Sequence, residues 1–218
     1  MNTISIKEAK KIKLMNRIDK KYIINFEQFC SLTNWIVDNY YIVVDEDNNF
    51  LLDYCSLYWD TIYDNMFLDH ENKVKNRQKI RIREYSNGEK YIEIKTKPAD
   101  DKTKKIRIPF KDCLDDSKKW IEKHLYYDYY SLGQKLEVKF KRLTLVSPEK
   151  NSRITIDFGI KFYNYETKIS SSIKDIIVEV KKETEELSKF EQKLNELGIE
   201  EHGFSKFYIG INKTREAN

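Results

Sequence analysis

"KIRIREYSNGEKYIEIKTK", residues Lys79 to Lys97, reads as a β-hairpin with two unlike faces. Successive side chains of a strand point to opposite sides. Lys79, Arg81, Arg83 and Tyr85 therefore share one side, joined on the returning strand by Tyr91, Glu93, Lys95 and Lys97. Ile80, Ile82, Ile92 and Ile94 take the other. Asn87-Gly88 between the strands suits the positive φ of a tight turn. A row of long cations on a sheet is either a solvated surface or a seat for a polyanion.

The same sorting works along most of the chain. "SRITIDFGI" sets Arg153, Thr155 and Asp157 against Ile154, Ile156 and Phe158, and "IIVEVKK" sets Glu179 and Lys181 against Val178 and Val180. "KKIRIPF" sets Lys105 and Arg107 against Ile106 and Ile108, and "KFKRLTL" offers Phe140, Arg142 and Thr144 against Lys141, Leu143 and Leu145. "SKFYIGI" is read as a further strand, with Lys206 and Tyr208 opposite Phe207 and Ile209. A wet face usually mixes in Ser, Thr, Asn and Gln, whereas this one is rich in Arg, Lys and Glu. Helical stretches are expected at about 26–38, 63–75, 110–125 and 184–197. The last carries Leu187, Phe190, Leu194 and Leu197 as an apolar stripe, with Gly198 as its C-cap. The expectation is a mainly β, α+β chain with an antiparallel sheet of about eight strands and helices packed on its apolar side.

Composition narrows the function. The chain has 218 residues, with 40 Lys and Arg against 36 Asp and Glu, so its net charge of +4 gives no reason to expect nucleic acid. Six glycines and three prolines exclude collagen-like and Pro/Gly-rich disordered classes. Cys30, Cys55 and Cys113 form no C-x-x-C pair, and His70, His124 and His202 share no ligand spacing. A reduced, cytoplasmic chain without a zinc site is expected. The opening "MNTISIKEAKKIKLMNR" has no apolar core, and no run reaches membrane-spanning length, so no signal peptide and no membrane segment are expected. Glu93, Asp157 and Glu179 lie among the cations as salt-bridge partners or as hard-oxygen ligands for Mg²⁺ or Mn²⁺ shared with phosphate oxygens.

"NRIDKKYII" (Asn16–Ile24), "LYWDT" (Leu57–Thr61), "KIRIREY", "YIEIKTK", "SRITIDFGI", "IIVEVK" and "FSKFYIG" follow in this order. Together they resemble the VTC domain, the polyphosphate polymerase branch of the triphosphate tunnel metalloenzymes, over about Arg17 to Gly210. The resemblance implies a single domain, 1–218, forming a closed antiparallel tunnel barrel with its charged face inward. The lumen would bind ATP or another nucleoside triphosphate with a divalent metal, Mn or Mg, while polyphosphate grows through it. Carried over by motif, Lys21 binds phosphate, and Arg81 and Arg83 grip the nucleotide phosphates. Lys95, Arg142 and Arg153 line the tunnel, Glu179 holds the metal with Lys181 beside it, and Lys206 sits by the transferred phosphate. The lysine after "EIK" is Lys104 or Lys105, and alternation favours Lys105. The Glu-x-Glu-x-Lys opening of the hydrolytic and cyclase branches is replaced by Arg17-Ile18-Asp19-Lys20-Lys21, which leaves a more cationic tunnel. The family's final Ser-Lys-Tyr reads Ser205-Lys206-Phe207, with the lost hydroxyl expected on the outer face. Three activities fit: a polyphosphate polymerase, a metal-dependent tri- or polyphosphatase, and a non-catalytic polyphosphate- or nucleotide-binding module.

Overall fold

Alternation of Ile and Val with charged residues puts more of the chain into strands than into helices, and a computed structural model describes residues 2–12, 18–98 and 103–215. Arg17, at the head of the first family motif, lies outside the described residues. In chain order the elements are β1 (Asn2–Ser5), α1 (Ile6–Lys11), β2 (Ile18–Ile24), α2 (Phe26–Asn39), β3 (Tyr41–Val44), β4 (Leu51–Thr61) and α3 (Asn65–Glu71). There follow β5 (Arg77–Tyr85), β6 (Lys90–Lys97), β7 (Lys104–Pro109), α4 (Lys118–His124), β8 (Leu132–Val146) and β9 (Ser152–Asn164). The chain continues with β10 (Ser170–Ser172), β11 (Ile176–Lys182), α5 (Lys189–Glu196) and α6 (Lys206–Lys213).

Among the described residues the hydrogen-bonded path runs β2-β11-β9-β8-β4-β5-β6-β7. Its ends, β2 and β7, are not paired with each other, so the ladder is open where a closed barrel was expected. The pairs β2–β11, β11–β9, β4–β5, β5–β6 and β6–β7 are antiparallel, but β1 pairs with β3 in parallel, Asn2 opposite Tyr41, which alternation alone does not reveal. The chain divides into two compact units: Met1–Asp53 with Phe140–Ile160 and Ile173–Phe204, and Tyr54–Lys139 with Lys161–Ser172 and Ser205–Asn218.

In the first unit, Tyr22, Ile24, Ile154, Ile156, Val178 and Val180 form a buried apolar face, and Leu32 and Ile36 of α2 and Phe190 and Leu194 of α5 pack on it. Both helices open with a capping box, at Asn25 with Gln28 and at Ser188 with Glu191, which satisfies N–H groups that the first turn leaves unpaired. Lys182, also on this face, reaches both carboxylate oxygens of the fully buried Glu191 (2.7 and 2.6 Å) and so ties α5 to β11. Gly198 closes α5 as expected: its N–H reaches the Asn195 carbonyl and the Ile199 N–H reaches that of Leu194, both at 2.9 Å.

In the second unit, Ile80, Ile92 and Ile94 are buried. On their side of the sheet Gln78 donates to the His124 carbonyl (2.9 Å) and accepts from the Tyr126 N–H (2.7 Å), fixing the end of α4. The β5–β6 turn takes positive φ at Gly88 alone, and the Gly88 N–H reaches the Tyr85 carbonyl at 2.9 Å. It is a type I turn closed by a glycine bulge, not a two-residue turn at Asn87-Gly88. "SKFYIGI" is not a strand but helix α6, N-capped by Ser205, whose Oγ accepts from the Tyr208 N–H. A short apolar run with one polar side fits either period, and the capping serine decides.

Candidate functional site

The structure sorts the residues singled out from the sequence into two sets, one in each unit. In the second unit the register puts Arg81 opposite both Tyr58 and Glu93, Arg83 opposite Ser56 and Tyr91, and Lys95 opposite Lys79 and Lys105. Directly opposed residues share a face. On β5, β6 and β7 this face therefore carries Arg77, Lys79, Arg81, Arg83, Lys95, Lys97, Lys105 and Arg107, and Glu93 is its one acidic residue. Lys104 pairs with Thr96 and falls on the other side, so Lys105 is the lysine on this face.

Glu93 is 1% exposed and organises the set. Arg81 donates to its Oε2 from Nε (2.8 Å) and Nη2 (2.6 Å), and Lys105 Nζ stands 2.5 Å from its Oε1. Burial alone would raise the Glu93 carboxyl, but Arg81, Arg83 and Lys105 outweigh it and hold it well below the usual carboxylate range. For Lys105, whose side chain stays about a third exposed at 34%, partial desolvation and the neighbouring arginines outweigh Glu93 and pull it down to about 7. Arg81 Nη1 also donates to the Tyr58 hydroxyl (2.8 Å), and Arg83 Nε to Ser56 Oγ (3.1 Å). Burial of Tyr58 is outweighed by Arg81 and Arg83, with Lys206 adding to them, and its hydroxyl is shifted below the ordinary tyrosine value.

Lys206 reaches this surrounding as the first residue of α6, not through strand parity. Lys79 Nζ donates to Ser205 Oγ at 2.9 Å and lies 5.4 Å from the Phe207 ring centroid. Phe207 is buried, 5.1 Å from the Tyr58 ring, so the residue in the family's tyrosine position faces inward and not outward. Gly210 brings α6 in close: a Cβ there would lie 2.5 Å from Leu136 Cδ2 and 2.6 Å from Phe162 Cδ1. Sequence reasoning assigned no role to Lys79, Arg107 or Tyr58. Parity with Arg81 and Arg83 would have found the first two, but only strand register finds Tyr58. Asp60 of the "LYWDT" motif is structural: its carboxylate accepts from the N–H groups of Met66 and Phe67 at 2.9 Å and caps α3.

In the first unit Lys21, Glu179 and Thr155 stand opposite one another across β2, β11 and β9, with Asp19, Lys181 and Arg153 in the next row. Here the charges nearly balance. Glu179 is in ion-pair contact with Lys181, and Lys181, Lys21 and Arg142 hold its carboxyl well below the usual range despite burial. Arg142 makes a bidentate pair with Asp157 (2.6 and 2.8 Å). Lys21 donates to the Phe204 carbonyl at 2.6 Å. Arg153, expected to line a tunnel, turns its guanidinium to the carbonyls of Ala9 (2.5 Å) and Ile12 (3.3 Å) at the end of α1. A cation suits the negative end of a helix. Each of the three candidate carboxylates thus has a cationic partner.

Among the described residues no group of three or more His, Cys, Asp and Glu side chains could hold a metal ion. Glu179 does offer hard oxygens, and Mg²⁺ or Mn²⁺ at a phosphate site takes many of its ligands from phosphate and water. A lone carboxylate of this kind fits a metal that takes most of its ligands from groups other than the protein, not one caged by it.

A model of the VTC domain matches residues 16–215. The chain belongs to the VTC domain family. No curated protein matches it. Its fold is similar to that of a candidate adenylyl cyclase from Hippeastrum, described as having a dominant triphosphatase activity (TM-score 0.57, 13% identity, covering 90% of this chain and 95% of that one). It is also similar to a candidate adenylate cyclase from Bacillus halodurans (TM-score 0.54, 13% identity, covering 88% and 96%). These likenesses carry the fold of the VTC chain. Among its described residues no helix is long and apolar enough to cross a membrane.

Proposed function

We propose that this VTC domain is a metal-dependent phosphotransferase that moves the terminal phosphoryl group of ATP to a growing polyphosphate chain. The carrying observation is the charge count on β5, β6 and β7, eight cations around the single carboxylate Glu93. An excess of that kind on a half-buried face is costly unless an anion completes it. Arginine forks match phosphate oxygens and lysines serve as compact point charges.

In this reading Arg81 and Arg83 hold phosphate oxygens of the nucleotide, with Arg81 steadied by Glu93 and Tyr58. Lys206 neutralises charge on the transferred group, and Lys79, Lys95 and Lys105 hold the chain. Positioning and charge neutralisation are most of what phosphoryl transfer asks of a protein. Glu179 could give one oxygen ligand to a divalent metal, which would supply positive charge against the phosphate oxygens around it. The triphosphatase described for the Hippeastrum protein supports a second reading, in which water is the acceptor. Incubation with labelled ATP and Mn²⁺, resolved on a gel, tests both. Long chains are expected; free phosphate alone would mean hydrolysis, and unaltered ATP with retained polyphosphate would mean a binding module. Glu179→Gln should abolish turnover and leave metal-free polyphosphate binding intact.

A further inference from the structure

Thr155 is buried to 4% exposure, and its Oγ1 has no hydrogen-bond partner. Buried hydroxyls are nearly always bonded, because leaving one unmade costs its full desolvation. Thr155 stands directly opposite Glu179 on the neighbouring strand, on the face that also carries Lys21 and Lys181. Lys181 Nζ is ion-paired with Glu179. The Thr155 hydroxyl thus stands unsatisfied across from a carboxylate that already has its cation. The opposite side of β9 is fully apolar there, with Ile154 and Ile156 buried, so a hydroxyl at 155 serves nothing in the core.

We propose that Thr155 is a phosphate-contacting residue whose hydroxyl donates to an oxygen of the bound polyphosphate beside Glu179. The assignment rests on the phosphotransferase reading of the charged faces. Oγ1 is a donor and Glu179 is not, so the hydroxyl can hold a phosphoryl oxygen close to a carboxylate that would otherwise repel it. Lys181, next to both, offsets the charge of the incoming anion.

The test is calorimetric binding of inorganic tripolyphosphate to the full chain, with EDTA and separately with Mn²⁺, together with thermal melting. Thr155→Val keeps the shape and removes only the hydroxyl. It should weaken tripolyphosphate binding about tenfold or more in EDTA, as loss of a hydrogen bond to a charged group does. Its Tm should be unchanged or higher, because an unsatisfied hydroxyl has left the interior. Thr155→Ser should bind nearly as the parent does. Unchanged binding by Thr155→Val overturns the proposal, and a lowered Tm alongside it would show a structural role. Weakening confined to the Mn²⁺ arm also overturns it, by making the hydroxyl a metal contact. Arg83→Ala separates the two readings. If it weakens binding and Thr155→Val does not, only the Thr155 assignment fails. If the parent chain binds no tripolyphosphate, the phosphotransferase reading fails with it.

Discussion

Glu93 is the residue on which the cationic face depends. It is buried between Arg81 and Lys105, and Arg83 contributes to holding it ionised. Glu93→Gln leaves those cations without their anion, and removing one partner of a buried pair costs about 3–5 kcal/mol. A clearly lower Tm is expected, restored in large part by tripolyphosphate, which supplies the missing negative charge. A Tm that stays low at saturating tripolyphosphate would count against a phosphate site. Arg83→Ala should behave in the opposite way, weakening binding about tenfold with little loss of Tm, since it also relieves repulsion. Lys105 adds a pH dependence. In the empty protein it is pulled down to about 7, and a bound polyanion stabilises its charged form and raises it. The bound state then holds more protons above pH 7, so affinity falls as pH rises through that range. Proton uptake on binding, read by calorimetry in buffers of different ionisation enthalpy, should vanish in Lys105→Met.

At the scale of elements, α6 is held by a close approach. Gly210 lets the helix lie against Leu136 and Phe162, and the helix start brings Lys206 and Ser205 to Lys79 and Tyr58. In Gly210→Ala the new methyl meets side chains already in the core, and overpacking of this kind costs about 1–3 kcal/mol. The helix must shift outward, so Tm and tripolyphosphate affinity should fall together. Lys206→Ala should lower affinity or turnover with Tm unchanged. If Gly210→Ala lost stability but bound normally, α6 would be packing only. The pairing Lys182–Glu191 has no such link to the charged face: both groups lie on the apolar side of β11 and serve the docking of α5.

For the whole molecule, the net charge of +4 understates what one face concentrates. Polyanion binding should therefore depend on chain length and on salt. Tripolyphosphate is expected to raise Tm well above sulfate at equal ionic strength, because several phosphates engage the row from Arg83 to Arg77 at once. Equal shifts from both anions would reduce the face to an ordinary basic surface. The thiols take no part: Cys30 and Cys113 are exposed, and burial, with Glu137 nearby, pushes Cys55 up to about 11.

By itself the sequence determined most of the strands, the side of those strands that is charged, and the family. Period-two alternation is a local property, and burial of Ile80, Ile92, Ile154 and Val178 follows from it directly. It also favoured Lys105 over Lys104, which the β6–β7 register then placed on the charged face. Only the tertiary structure decided the rest. Parity gives a side of a strand but not the aim of a long side chain, so Arg153 could share a row with Lys181 and still spend its guanidinium on the end of α1. Alternation cannot tell a short apolar run in a strand from one in a helix, and α6 was settled by the Ser205 cap and the packing at Gly210. Closure of the sheet, and the partner of each carboxylate, depend on residues far apart in the chain, whose meeting no local pattern records.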